Sequence, residues 1–237
     1  MHTCVNKNIG EASNCMKREI ITTNDGSKTI HLPDWNESYH SIHGAVQEAK
    51  HVFIKSGLSE ITKQEVNILE VGFGTGLNAM LTLNKAKETK QKIHYFGLEA
   101  HPVILDELKG LKYEDLLEIK ENEKLFWQLH SSEWNMTNSI TPLFDLYKIQ
   151  LFLDDFNPPK NGYDLIYFDA FGPRVQPEMW SKNVFEKLFK SLKNEGIFVT
   201  YCAKGQVRRD LIEVGFQVEK IPGPPGKREM LRGKVEK

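Results

Sequence analysis

A glycine-rich segment between a predicted strand and a predicted helix constrains the fold more than any other feature of this sequence. Residues 66–71 read Val-Asn-Ile-Leu-Glu-Val, the apolar pattern of a buried strand, and Gly-Phe-Gly-Thr-Gly follows at 72–76. A helix is predicted from about Gly76 to Glu88. Glycines at such a junction let the backbone turn tightly and approach a ligand, and the first turn of the helix offers free N–H groups. The segment therefore predicts an α/β domain with a ligand site at the carboxyl end of this strand.

Strands and helices alternate through the rest of the chain. Further strands are predicted at 92–98, 149–153, 164–168 and 196–201, and helices at about 177–192 and 205–214. This alternation requires a parallel sheet covered by helices on both faces. Strands at 216–221 and 229–235 are joined by a Pro/Gly loop too short for a parallel crossover, so we expect an antiparallel C-terminal hairpin. The expected architecture is a mostly parallel seven-stranded sheet that ends in this hairpin.

The N-terminal part has a different pattern. Residues 1–16 are polar and aperiodic, and we expect a flexible tail there. Turn residues at 24–27 predict a small hairpin, and a helix is predicted from about Gly44 to Lys55. The expected domain organisation is a tail at 1–16, a hairpin and helix packed on the core at 17–60, and the main domain at 61–237 with a helical insertion near 101–148.

The charges limit what the chain can bind. There are 31 basic and 32 acidic side chains, and the net charge of −1 argues against a uniformly basic nucleic-acid binder. Residues 201–237 nevertheless carry a net +4 and residues 1–200 a net −5. A basic loop at Lys227 and Arg228 beside a ligand crevice is suited to nucleic-acid phosphates. An ordinary solvated basic face is the alternative.

Several classes of protein are disfavoured by composition. Cys4, Cys15 and Cys202 lack metal-ligand spacing and are typical of reduced thiols, so we expect no metal site. The N-terminus has no apolar signal core, and no run approaches the roughly 18 apolar residues of a membrane helix. We therefore expect a cytoplasmic protein without membrane contact.

Acidic residues stand at the ends of the predicted strands, where ligands of parallel sheets bind. Glu70 precedes the glycine loop, Glu99 follows the second strand, and Asp154 and Asp155 follow the third. A carboxylate in the position of Glu99 can accept hydrogen bonds from ribose hydroxyls. One after the third strand can accept a hydrogen bond from an adenine amino group, and we assign this role to Asp155. Solvated or helix-capping acids are the alternatives.

A second motif, Phe-Asp-Ala-Phe-Gly-Pro at 168–173, follows the fourth strand. Asp169 emerges there from an apolar strand into the ligand crevice, which makes it a candidate acid/base or amine-orienting group. A loop acid that caps the helix after Pro177 is the alternative. Tyr39, His40 and His43 lie in the N-terminal loop, where they either reach over the ligand or serve as surface or packing residues. We favour the second role for the two histidines.

Three motifs together resemble the methyltransferase part of the MnmC-type tRNA wobble-uridine modification enzymes. They are Glu-Val-Gly-Phe-Gly-Thr-Gly-Leu-Asn at 70–78, Phe-Asp-Ala-Phe-Gly-Pro at 168–173 with Pro-Glu-Met-Trp at 177–180, and Lys-Arg-Glu-Met-Leu at 227–231. The resemblance covers roughly residues 17–237 and implies the Rossmann-like fold of S-adenosylmethionine-dependent methyltransferases. Bifunctional members carry an FAD-dependent oxidase after this domain. The present chain resembles the stand-alone form, so we expect no FAD domain.

The resemblance also implies a reaction and its residues. The cofactor is S-adenosylmethionine, and the partner is the tRNA anticodon stem-loop. The reaction is N-methylation of 5-aminomethyl-(2-thio)uridine at the wobble position. The implied cofactor-binding residues are Glu70, Gly72, Phe73, Gly74, Gly76, Asn78, Glu99, Asp155 and Asp169. Asp169 is also the implied catalytic residue. The implied substrate- or RNA-binding residues are Tyr39, Phe171, Lys204, Arg208, Lys227 and Arg228.

Two other interpretations fit part of the sequence. One is a small-molecule amine methyltransferase or an aminopropyltransferase-like enzyme, because both use related folds and an Asp at the end of a strand. These enzymes do not need the basic C-terminal loop. The other is a non-enzymatic module that senses the cofactor or binds RNA.

Overall fold

The computed structural model describes residues 2–4, 15–111 and 122–237. The strands are β1 (His2–Cys4), β2 (Cys15–Lys17), β3 (Glu19–Thr22), β4 (Lys28–Leu32), β5 (Glu37–Ser38), β6 (Glu65–Val71), β7 (Lys92–Leu98), β8 (Thr137–Thr141), β9 (Phe144–Ile149), β10 (Tyr163–Phe168), β11 (Leu192–Thr200), β12 (Gln217–Pro222) and β13 (Glu229–Lys234). The α-helices are α1 (Ala45–Ala49), α2 (Leu77–Thr89), α3 (Leu105–Leu111), α4 (Asn122–Ser131), α5 (Lys182–Ser191) and α6 (Gly205–Val214). A π-helix at Lys50–Lys55 continues α1, and short 3-10 turns lie at Leu58–Glu60 and Pro177–Trp180.

The main sheet has eight strands in the order β12-β13-β11-β10-β6-β7-β9-β8. Strands β6, β7, β9, β10 and β11 pair in parallel. The expected C-terminal hairpin is confirmed, because β13 is antiparallel to both β11 and β12. The strand order reverses at β6, between β7 and β10, and ligands of open α/β sheets bind outside the carboxyl ends of strands at such a point.

The prediction of seven strands was wrong by one, and the third strand was misplaced. The sheet uses Phe144–Ile149 as β9, not residues 149–153, and β8 adds an antiparallel edge strand beside it. Phe144, Leu146 and Lys148 are buried in an alternating pattern and Ile149 is buried on the other face, whereas Leu151 is exposed in the loop that follows. The apolar run at 151–153 therefore belongs to a loop and not to a strand. The expected helical insertion near 101–148 also contains β8 and most of β9.

The N-terminal hairpin and helix are confirmed. Strand β3 pairs antiparallel with β4, and β5 adds a third strand. Oδ1 of Asp25 stabilises the turn by accepting hydrogen bonds from the Ser27 amide at 3.0 Å and the Thr23 hydroxyl at 2.7 Å. Strand β1 pairs with β2, and the rest of the predicted tail lies outside the described residues.

The main sheet is buried on both faces, as its parallel strands require. Within β10, Leu165 and Tyr167 belong to one apolar cluster, while Ile166 and Phe168 belong to the other. This alternation sends successive side chains to opposite faces. No helix within residues 2–4, 15–111 and 122–237 is long and apolar enough to cross a membrane.

Candidate active site

A cavity of about 1060 Å³ opens at the carboxyl ends of β6, β7 and β10. Among the residues implicated from sequence, those on its wall are Tyr39, Gly72, Phe73, Gly74, Asn78, Glu99, Asp169, Phe171 and Lys227. Those that do not line it are Glu70, Gly76, Asp155, Lys204, Arg208 and Arg228. The structure therefore brings the three sequence motifs to one cavity, although it places several of the expected contacts elsewhere.

The glycine loop adopts conformations that favour glycine. Gly72 has φ of 92°, and a Cβ there would stand 2.6 Å from the carbonyl oxygen of Asp169. Gly74 has φ of 48°. The backbone of the loop can thus pass directly beside the strand end that carries Asp169. Helix α2 begins right after the loop, and its first residues, Leu77 and Asn78, line the cavity.

Glu99 connects β7 to the glycine loop. Its Oε2 accepts a hydrogen bond from the Gly74 amide at 2.9 Å, and its Oε1 accepts one from the His101 amide at 2.7 Å. A carboxylate oxygen has more than one acceptor position, so both oxygens keep capacity for a ligand. Glu99 is therefore a fixed acceptor on the cavity wall.

Glu70 lies beneath the cavity, which differs from the expectation that it contacts a ligand directly. Its side chain is fully buried, and its two oxygens accept hydrogen bonds from Asn78 Nδ2 and from the Tyr95 hydroxyl, each at 2.8 Å. Burial raises the pKa of this carboxyl well above its ordinary value. Glu70 faces into the core because β6 alternates its side chains, and Asn78 stands between it and the cavity.

Asn78 is the residue that links the two motifs. Its Nδ2 donates to Glu70 Oε1 and also to Asp169 Oδ2, at 2.8 Å in each case. Both amide hydrogens are thereby used, which fixes the orientation of the side chain. Its buried Oδ1 has no hydrogen-bond partner among the described residues. A buried acceptor of this kind fits a ligand that carries an ammonium group.

Asp169 is a buried carboxyl group on the cavity wall, with a hydrogen-bond donor and two charged groups near it. It follows β10, and its amide donates to the Val71 carbonyl at 2.9 Å, so the two strand ends are held together. Burial raises the pKa of Asp169 to about 7; the Asn78 hydrogen bond and Lys227 oppose this rise, and Glu48 adds to it. A carboxyl with a pKa near neutrality is a far better proton acceptor than an ordinary aspartate.

The structure brings Asp154, rather than Asp155, to the cavity wall. The reason is the corrected position of β9: the strand ends at Ile149, and residues 153–155 form a turn. Lys187 Nζ fixes this turn by donating to the carbonyls of Leu153 and Asp154. Both Asp154 and Asp155 are exposed, but Asp155 does not line the cavity.

Aromatic side chains form one rim of the cavity. Phe171 packs edge-on against Tyr39, with ring centroids 5.1 Å apart, and against Trp35 at 5.6 Å. Arg174 holds this part of the N-terminal segment by donating to the Trp35 carbonyl at 2.7 Å and to Glu37 at 2.9 Å. The rim thus combines the 168–173 motif with the loop around Tyr39.

Lys227 points into the cavity, whereas Arg228 points into solvent with 93% of its side chain exposed. The Lys227 ammonium pairs with Glu48 and lies 4.0 Å from the centroid of the Tyr201 ring. Lys204 ends the loop after β11, and Arg208 follows it by one turn on α6.

Sequence reasoning missed Glu48 and Tyr201, although Glu48 left a signal. Ala45, Ala49, Val52 and Phe53 are buried on one face of the helix that begins at Ala45. Position 48 falls on that same face, so a carboxylate there interrupts an apolar stripe. An acid in such a place needs a partner, and the partner is Lys227, which is remote in sequence.

Comparisons with known proteins agree with this geometry. Residues 161–236 match a family described as S-adenosyl-L-methionine-dependent methyltransferase. The chain is 33% identical over 229 residues to the tRNA 5-methylaminomethyl-2-thiouridine biosynthesis bifunctional protein MnmC of Cupriavidus metallidurans, and the match covers 90% of this chain and 33% of that protein. The chain spans about a third of the length of the curated relatives it matches.

Two solved structures share the fold. MnmC2 from Aquifex aeolicus has a TM-score of 0.72 at 23% identity, over 93% of this chain and 71% of that one. A probable spermidine synthase from Corynebacterium glutamicum has a TM-score of 0.51 at 16% identity, over 92% of this chain and 76% of that one. Both likenesses concern the fold alone. The curated relatives and the family model show that this chain is similar to MnmC proteins and to S-adenosyl-L-methionine-dependent methyltransferases.

Proposed function

We propose that this protein transfers a methyl group from S-adenosyl-L-methionine to the amine of 5-aminomethyl-(2-thio)uridine at the tRNA wobble position. The observation that carries the proposal is the hydrogen bond between Asn78, on the glycine-loop helix, and Asp169, at the end of the neighbouring strand. It joins a loop suited to the cofactor to a carboxyl suited to an amine. The similarity to bifunctional MnmC proteins, whose name specifies 5-methylaminomethyl-2-thiouridine biosynthesis in tRNA, supports the substrate.

The residues of the cavity fit this cofactor. The loop around Gly72 and Gly74 leaves room for close backbone approach, and Glu99 supplies acceptors for ribose hydroxyls. The unpartnered Oδ1 of Asn78 is an acceptor for the ammonium of the methionine part. We assign the contact with the adenine amino group to Asp154, because Asp155 is not on the wall. When bound, S-adenosyl-L-methionine supplies an electrophilic methyl group on a positively charged sulfur.

Asp169 acts on the substrate amine. A primary alkylamine has a pKa of about 10 and must lose a proton before it can act as a nucleophile. The Asp169 carboxylate, with its pKa raised to about 7, takes that proton more readily than an ordinary aspartate.

The RNA approaches the edge of the sheet that carries the cavity. Lys204 follows β11 at this edge, Arg208 lies one turn further along α6, and Arg228 is in the hairpin loop that ends where β13 begins. These three cations are proposed to contact backbone phosphates of the anticodon stem-loop. The modified base leaves the anticodon stack, and Tyr39 and Phe171 at the rim receive it by stacking. A tRNA substrate is consistent with a reaction in the cytoplasm.

Nucleoside mass analysis tests the proposal. Hypomodified tRNA that carries 5-aminomethyl-(2-thio)uridine is incubated with the protein and S-adenosyl-L-methionine, then digested to nucleosides. We expect the aminomethyl nucleoside to gain the mass of one methylene group. Absence of this gain, with cofactor binding intact, would overturn the proposal and favour a binding module. Methylation or aminopropylation of free amines without RNA would favour the small-molecule alternatives.

A further inference from the structure

A charged pair lies inside the candidate active site, next to the reactive carboxyl. Glu48, from α1, and Lys227, from the β12–β13 loop, both line the cavity and form an ion pair there. Their side chains are only 13% and 33% exposed. Both charges act on Asp169: Glu48 raises its pKa and Lys227 lowers it. The pair is therefore close enough to the reacting end of the cavity to take part in substrate recognition.

The Lys227 ammonium has a second partner. It lies 4.0 Å from the centroid of the Tyr201 ring, within the range of a cation–π contact. The Tyr201 hydroxyl donates to the carbonyl of Ala170 at 2.9 Å, so the ring is held beside the residue that follows Asp169. A carboxylate and an aromatic face together form the kind of site that proteins use to bind ammonium groups.

We propose that Glu48 and the Tyr201 ring form the binding site for the substrate's ammonium group, and that Lys227 occupies this site until the substrate arrives. The inference rests on the proposed function, since it concerns the same aminomethyl-uridine substrate. An alkylammonium on a short methylene stem has the same chemistry as the end of a lysine side chain. The substrate thus replaces Lys227 by an equivalent cation.

The exchange of one ammonium group for another avoids a state in which the Glu48 carboxylate has no cationic partner. Removal of one partner from a poorly exposed ion pair leaves an uncompensated charge, which is costly. When one ammonium replaces another, Glu48 stays paired throughout. Glu48 Oε2 also accepts the Ser41 amide at 3.0 Å, which holds the carboxylate in place during the exchange. The released Lys227 is then free to reach an RNA phosphate outside the cavity, as the sequence led us to expect.

A pair of nucleosides isolates the amine from the rest of the substrate. Binding of 5-aminomethyluridine and of 5-methyluridine, which lacks the amine, is measured by NMR titration of the full chain. Neither ligand carries a phosphate, so contacts with the RNA backbone do not contribute. We expect the wild-type protein to bind the aminomethyl nucleoside roughly 10- to 100-fold more tightly, the range for a hydrogen bond to a charged group.

Variants assign the preference to the named residues. Glu48→Gln keeps an acceptor for Ser41 but removes the charge, and we expect it to reduce the preference for the amine to near unity. Tyr201→Leu is expected to weaken the preference for the amine. Tyr201→Phe keeps the aromatic face and is expected to keep most of this preference. Lys227→Met is expected to tighten the aminomethyl nucleoside several-fold and to leave 5-methyluridine unchanged. Glu88→Gln and Lys220→Met, which alter exposed ion pairs outside the cavity, are the controls.

Three outcomes would overturn the inference: equal binding of the two nucleosides by the wild type, an unchanged preference in Glu48→Gln, or no tightening in Lys227→Met. Circular dichroism of each variant shows whether it is folded, and Glu48→Asp, which keeps the charge, is expected to retain part of the preference. These results are separable from the proposed function. If the wild type fails to methylate hypomodified tRNA, the function is wrong, whatever the nucleosides show; if it methylates but shows no amine preference, only this inference fails.

Discussion

The side-chain amide of Asn78 donates a hydrogen bond to the Asp169 carboxylate at 2.8 Å. The two residues come from different motifs, one on the helix after the glycine loop and the other after the fourth parallel strand of the chain. Because the same amide also donates to the buried Glu70, Asp169 is tied through Asn78 to the core of the sheet. The carboxyl proposed to act on the substrate amine is therefore held against the loop proposed to bind the cofactor, the kind of fixed geometry that group transfer requires.

Replacement of Asp169 should separate turnover from cofactor binding. We expect Asp169→Ala and Asp169→Asn to lower kcat by roughly 10²- to 10⁴-fold, the usual contribution of a positioned acid or base. Affinity for S-adenosyl-L-methionine, measured by calorimetry, should change little. Wild-type turnover in either variant would remove Asp169 from the chemistry.

The raised pKa of Asp169 makes a prediction about stability. The folded protein holds a proton on this carboxyl up to about pH 7, whereas the unfolded chain releases it near pH 4. The carboxyl's contribution to stability therefore falls as the pH rises from about 4 to 7 and is lowest above pH 7. Asp169→Asn, which cannot ionise, should be more stable than the wild type at pH 8, on the order of 1 kcal/mol or more. Thermal denaturation at pH 5 and pH 8 checks this: the advantage should shrink at pH 5, and a pH-independent difference would contradict it.

The neighbours Asp154 and Asp155 form a matched pair for the adenine contact. Only Asp154 lines the cavity. We expect Asp154→Ala to weaken S-adenosyl-L-methionine binding by roughly 10-fold, the loss of a hydrogen bond to a charged acceptor. Asp155→Ala, with an equal change in charge, should leave the affinity unchanged in the same titration. The reverse result would restore the assignment made from sequence.

Two glycines with similar positive φ angles allow the cost of backbone strain to be measured apart from the cost of a steric clash. Gly26 has φ of 82°, and a Cβ added there would meet nothing within 4 Å, whereas a Cβ on Gly72, at φ of 92°, would meet the Asp169 carbonyl. We expect Gly26→Ala to cost about 1 kcal/mol of unfolding free energy from backbone strain alone. Gly72→Ala should cost more and should also weaken cofactor binding. Equal costs in chemical denaturation, with binding intact, would show that the close approach at Gly72 is unimportant.

Salt dependence tests the proposed RNA contacts. If Lys204 and Arg228 each neutralise a phosphate, Lys204→Gln and Arg228→Gln should each lower the slope of log K against log salt by about 0.7 to 0.9 for tRNA. Lys90→Gln is the control, because Lys90 lies at the opposite edge of the sheet, just before β7 begins. A slope that stays at the wild-type value in Arg228→Gln would exclude this loop from the RNA surface.

Local patterns in the sequence were sufficient for much of the fold. The glycine loop and the apolar strands predicted the parallel sheet and the cavity at its carboxyl edge, and the short Pro/Gly loop predicted the antiparallel ending. These features depend on residues that are neighbours in the chain, so the pattern carries the information. The third strand was misplaced because an apolar run that packs as a loop, around Leu151, looks the same in sequence as a buried strand.

The sequence by itself therefore determined which polar residues stand at the ends of strands beside the cavity, Asp169 above all. Only the tertiary structure decided what surrounds them. Burial raises the pKa of Asp169, Asp154 rather than Asp155 lines the cavity, and Glu48 pairs with Lys227 on the cavity wall. Each of these depends on groups far apart in the chain, and the energies of buried charges are set by what folding brings within a few ångströms of them.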